Sequence, residues 1–128
     1  MATITEDYVS FETAKLLKEK GFDVKCDKCY AYFADDDIRI LHLTYEKPAQ
    51  LLSEDRYPCI TIQIVMKWLR EVQNIAIVVT PSMFWGKYNT HIYEKGNEYP
   101  IGFDGSSLCP SYEQAVEGAI KHCLENLI

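Results

Sequence analysis

The sequence predicts an α+β fold in two layers, an antiparallel or mixed sheet of about four to five strands with three helices packed mainly on one side. The expected order is α-β-β-α-β-β-(β)-α, in a single domain over residues 1–128. Three observations predict it. Three segments repeat apolar residues at helical spacing, several short runs are rich in β-branched and aromatic residues, and those runs come in adjacent pairs between the helices. Paired strands separated by single helices do not fit a doubly wound nucleotide fold.

The first helix is read from SFETAKLLKEKGF. Ser10 is a good N-cap and Glu12 in the first turn complements the helix dipole. Phe11, Ala14, Leu16 and Leu17 make the apolar stripe, Gly21 ends the helix, and Phe22 folds back on the stripe. From Cys29 to Tyr45, CYAYFA and IRILHLTY read as two strands joined by a tight turn at Asp35, Asp36 and Asp37. Short acidic side chains bond the local backbone and tolerate turn geometry, whereas a calcium loop needs more oxygen ligands at set spacing. Residues 46–58, EKPAQLLSEDRYP, read as a connection with a proline near each end.

In CITIQIVMKWLREVQ the apolar residues Ile60, Ile64, Val65, Trp68, Leu69 and Val72 recur at helical spacing, which predicts a second helix starting near Cys59 to Thr61. NIAIVVT is short, branched and apolar, the signature of a buried strand ending at Pro81. SMFWG is a loop, and KYNTHIYE alternates Tyr88, Thr90 and Ile92 against Asn89, His91 and Tyr93, as a strand with two different faces does. Lys95, Gly96 and Asn97 form a turn, and EYPIGF adds a short edge strand that tolerates Pro100. After the loop DGSSLCP, SYEQAVEGAIKHCLENLI opens with a capping box at Ser111 and Gln114. Its stripe is Tyr112, Ala115, Val116, Ala119, Ile120, Cys123, Leu124 and Leu127.

Thirteen Lys and Arg against 19 Asp and Glu leave a net charge of −6, with the basic residues spread along the chain. Such a charge repels phosphate backbones, so nucleic acid is a disfavoured partner, reachable only if the fold gathers distant lysines. The start MATITEDYVS has no basic and apolar leader pattern, and no apolar run reaches the ~18 residues of a spanning helix, so a cytoplasmic protein without a membrane partner is expected. Five cysteines in no regular framework fit a compartment where thiols stay reduced.

KCDKCY places Cys26 and Cys29 at the spacing of a metal knuckle or a redox pair. A tetrahedral zinc site needs a second ligand pair, and His42, Cys59, His91 and Cys109 are isolated, while His122 and Cys123 point about 100° apart on one helix. A thioredoxin-type pair needs a helix directly after it, and here a strand follows. Cys26 and Cys29 are therefore weak metal candidates beside the reading of two ordinary thiols. Cys59, after Pro58 and near a helix start, is the better placed thiol, though its histidines lie on other elements. No phosphate loop or cofactor motif is present, so no cofactor is expected.

PSMFWGKY gathers Phe84, Trp85 and Tyr88 in or beside a loop, where aromatic side chains serve as interface anchors or fold over the core edge. The opening SFETAKLLKEKGF, the central KWLRE helix with its NI strand, and the closing YE-A-E-AI helix together resemble a group of small uncharacterised proteins of Bacteroides-type bacteria and their phages or prophages. The resemblance runs from end to end, omits KCDKC, and implies an origin rather than a set of site residues. The expected function is a non-enzymatic cytosolic accessory protein that binds an unidentified protein partner or itself. The alternatives are a thiol- or zinc-dependent protein using Cys26 and Cys29 or Cys59, and a nucleic-acid-binding accessory protein.

Overall fold

In the computed structural model, which describes residues 6–42, 55–83, 86–101 and 109–128, the chain divides into two units, Met1–Thr61 and Ile62–Ile128. The elements are α1 (Phe11–Glu19), β1 (Lys28–Ala34), β2 (Asp37–His42), β3 (Arg56–Pro58), α2 (Ile62–Glu71), β4 (Ile75–Pro81), β5 (Tyr88–Glu94) and α3 (Tyr112–Asn126). Among the described residues the class is α+β with three helices, but the strands form two antiparallel sheets, one of three strands and one of two, rather than the single sheet expected.

In the first unit, Ser10 caps α1 by accepting the Thr13 N–H at 3.3 Å. At the other end Gly21 takes φ +80°, and the N–H groups of Gly21 and Phe22 donate to the carbonyls of Lys18 and Leu17. That crossed pair of bonds is a Schellman stop, and it needs the left-handed conformation that glycine adopts without strain. β1 and β2 form the expected hairpin, and Asp36, at φ +65°, carries the turn with a register irregularity between Tyr32 and Ala34. The Asp35 carboxylate accepts the Tyr32 hydroxyl at 2.5 Å and Asp37 pairs with Arg39 at 3.1 Å, so two of the three acids are engaged by hairpin side chains.

The strand order is β2-β1-β3. The third strand lies inside the segment read as a connection, where Pro58 masked a run of only three residues. Its proline is tolerated for a reason visible in the ladder. The Tyr32 N–H bonds to the Asp55 carbonyl and the Cys59 N–H to the Lys28 carbonyl, so residues 28, 30 and 32 of β1 face β3. Pro58 sits opposite Cys29, whose main chain faces the other way, and no donor is required of it.

Side chains alternate across this sheet. One face carries Tyr30, Tyr32, Tyr57, Ile38 and Ile40, the other Cys29, Ala31, Arg39 and Arg56. α1 covers the first face: the Phe11 ring meets Tyr30 and Tyr57 edge-on at 5.9 and 5.2 Å and stacks on Tyr32 at 6.2 Å. The Tyr30 hydroxyl donates to the Val9 carbonyl at 2.5 Å, and Thr13, Ala14 and Leu17 are buried beneath the helix. On the second face Phe33 lies between two guanidinium groups, 4.8 Å from Arg39 and 5.7 Å from Arg56.

In the second unit, β4 and β5 pair in register, with Ile77 opposite Ile92 and Val79 opposite Thr90. α2 and α3 pack on this hairpin and on each other. The helix face of the hairpin holds Ile75, Ile77, Thr90 and Ile92, all buried, while Val78 on the opposite face is exposed, so the buried strand expected up to Pro81 is buried on one face. α2 starts at Ile62, later than expected, and its inward face is Ile62, Val65, Met66, Trp68 and Leu69. Ile64 and Val72, read as part of the stripe, are exposed. Val65, Trp68 and Leu69 are inward as the spacing predicts, and the extra apolar residues of the β-branched run leave the edges of the stripe undetermined by spacing. α3 is as expected: Ser111 accepts the Gln114 N–H at 3.1 Å, and Ala115, Val116, Ala119, Ile120, Cys123 and Leu124 are buried. Of the segment EYPIGF, Ile101 bridges to Ile92 and the last two residues lie outside the described ones. No helix among the described residues is long and apolar enough to cross a membrane.

Candidate functional site

Three of the five thiols lie in the first unit. Cys29 is fully buried on β1, Cys59 is buried just after β3, and Cys26 is half-buried with its thiol donating to the Val24 carbonyl at 3.3 Å. Cys59 extends the β3 ladder opposite Lys28, one residue from the partner of Cys29. That offset sends the two side chains to opposite faces of the sheet, which explains why proximity along the strands builds no common site. Among the described residues no group of three or more His, Cys, Asp or Glu side chains is placed to hold a metal ion.

The electrostatics act against a reactive thiolate. Burial pushes the Cys26 thiol up to about 12, helped by the Asp27 carboxylate and then by Cys59 and Cys29. Burial also raises Cys29, against the pull of Arg56. Cys59 is raised by burial as well, although hydrogen bonding with Tyr30 and the charge of Lys28 draw it back. The helix start that made Cys59 attractive in the sequence begins three residues later, at Ile62. The groups acting on Cys59 are Tyr30, Lys28 and Asp27 rather than a histidine base, and His42 stands on β2 opposite Lys28. A nucleophilic cysteine needs the thiolate near neutral pH, and these environments hold the thiol form.

Of the aromatic loop, Phe84 and Trp85 lie outside the described residues. Tyr88 is half-buried on β5, exchanges two main-chain hydrogen bonds with Cys109 at 2.9 Å, and meets the Tyr112 ring edge-on at 6.2 Å. Its ring is engaged with α3.

The site that the sequence reading passed over is the edge of β2. The hydrogen bonds of β1 toward β3 leave Cys29 and Ala31 to face β2, so their partners Leu41 and Arg39 point their main-chain groups inward. The intervening residues Ile38, Ile40 and His42 therefore direct their N–H and C=O groups outward, and among the described residues no strand pairs with them. The side chains on the same stretch are open: Ile38 is 40% and Ile40 54% exposed, with Phe33 51% exposed across the sheet. Between Ile38 and His42 there is no proline or bulge, and the charged side chain present, Arg39, is paired with Asp37. The signal was present in the sequence as IRILH, in which apolar residues alternate with basic or apolar ones. What was missing was the strand order that puts it at an edge.

No family model, curated protein or solved structure matches this chain.

Proposed function

We propose that this chain is a non-catalytic accessory protein of the cytosol, of the phage or prophage kind its sequence resembles, and that it acts by accepting an extended partner segment as an added strand along β2. The observation that carries this reading is the β2 edge itself. Outward main-chain donors and acceptors at Ile38, Ile40 and His42 coincide with two exposed isoleucines, which together supply the hydrogen bonds and the side-chain contact that strand addition uses. The fitting segment is apolar where it lies beside Ile38 and Ile40 and polar or acidic where it lies beside Arg39. Protonated, buried thiols divided between two faces weigh against the thiol-dependent alternative.

The test uses a substitution aimed at the edge alone. In Ile40→Pro the lost N–H is one that points away from β1, so the β1–β2 ladder keeps its bonds while an added strand loses one. Peptides selected from a displayed random library against the folded chain are expected to bind Ile40→Pro at least about tenfold more weakly, the equivalent of one lost hydrogen bond with its buried acceptor left unpaired. Circular dichroism should remain that of the parent. Selected peptides that bind parent and variant equally would place the interaction elsewhere and overturn the reading.

A further inference from the structure

Resting on the strand-addition reading, we infer that the strand added to β2 is the β2 of a second copy, paired antiparallel about a two-fold axis through Ile40. Of the possible centres on residues of the strand, three set both Ile38 and Ile40 opposite described residues of β2 or its turn, and the residues discriminate among those three. An axis through Arg39 sets the two Arg39 guanidinium groups directly opposite each other, a like-charge pair on neighbouring strands. An axis through Ile38 places Ile40 opposite the Asp36 of the second copy, and Asp36 is held at φ +65° in the hairpin turn, where a ladder cannot continue. The axis through Ile40 has neither fault. It sets Ile40 against Ile40, Ile38 against His42 and Arg39 against Leu41, so every opposed pair that exchanges hydrogen bonds comes from the outward-pointing residues.

Side chains agree with the main chain. On the face that bears Tyr30 and Tyr32, Ile38 and Ile40 of the two copies join into one strip of four isoleucines, continuing the row that α1 covers in each copy. On the other face the Arg39 stem lies beside Leu41, which is half-buried already, and its charged end stays with Asp37 at 3.1 Å. That internal pair makes the strand locally neutral, so two copies approach without the repulsion that the chain's charge of −6 would otherwise impose at this edge. The result is a continuous six-stranded sheet, β3-β1-β2 of one copy followed by β2-β1-β3 of the other.

Sedimentation equilibrium over a wide concentration range tests the pairing. The parent is expected to shift from the mass of one chain to twice that mass as concentration rises. Ile40→Lys, which sets two ammonium groups on the axis at an exposed position, should remain at the mass of one chain at the top of the range, and Ile40→Val should still double. Folding is checked by circular dichroism, and Arg39→Glu supplies a second probe: it removes the internal Asp37 pair, adds negative charge on both sides of the axis, and should move the midpoint at least tenfold upward. A parent that never exceeds one chain, or an Ile40→Lys protein that doubles like the parent, overturns the inference. A single-chain parent that still binds selected peptides in an Ile40-dependent manner overturns self-pairing alone, whereas one that binds none overturns strand addition with it.

Discussion

At the scale of single residues, the cysteines carry the sharpest consequence of burial. Cys26 and Cys123 are both raised to about 12 by desolvation, reinforced by Asp27 at the first and by Glu94 at the second. A thiol in the unfolded chain ionises near pH ~8.5. The folded state keeps its proton above that pH while the unfolded state releases it, so the stabilising contribution is full below about 8.5 and is lost as pH rises toward 12. The melting temperature of the parent should therefore fall more steeply between pH 8 and 11 than that of the Cys26→Ala, Cys123→Ala protein, which starts lower because its α3 packing is reduced. Parallel slopes would mean that these thiols are not held in the neutral form. The sequence made the thiols legible as a constellation by spacing, CxxC and a third cysteine after a proline. It could not make legible that Cys29 and Cys59 fall one register apart on paired strands and so on opposite faces, because that offset depends on a pairing between residues nearly thirty positions apart.

At the scale of elements, the helix ends were read from local chemistry and the strands were read only in part. Ser10, Gly21 and Ser111 act as their residue types dictate, since a cap or a stop is decided within a few residues. Gly21→Ala forces a side chain into φ +80° and should destabilise the chain by about 1–2 kcal/mol in denaturant unfolding, although an added Cβ meets no neighbouring atom. Ser10→Ala should cost about 1 kcal/mol by the same measurement through the lost bond from the Thr13 N–H. A Gly21→Ala protein as stable as the parent would show that the Schellman stop does not form. β3 escaped the sequence reading because three residues ending in proline have no periodicity to detect, and what makes them a strand is the unpaired side of β1. α2 has Val65, Trp68 and Leu69 on its inward face as the spacing predicts, while Ile62 and Met66 join them there in place of Ile64 and Val72, because packing on β4 decides among the apolar side chains of the helix.

At the scale of the whole molecule, the fold class followed from the alternation of paired strands and single helices, but the division into two sheets did not. Hydrophobic pattern identifies strands and leaves their partners open, and here β1 takes both β2 and β3 while β4 and β5 pair with each other. The candidate site follows from that pairing: with β1 in the middle, β2 is an edge among the described residues, and its exposed isoleucines stand beside outward main-chain groups. A second strand on this edge would change the environment of its main chain amide by amide. Hydrogen exchange measured by NMR at low and at high protein concentration tests it most directly. The amides of Arg39 and Leu41, bonded to β1, should be protected at both concentrations, while those of Ile38, Ile40 and His42 should exchange freely in dilute solution and become protected as the protein is concentrated. Protection of Ile38 and Ile40 that is the same at both concentrations, or absent at both, would contradict the account.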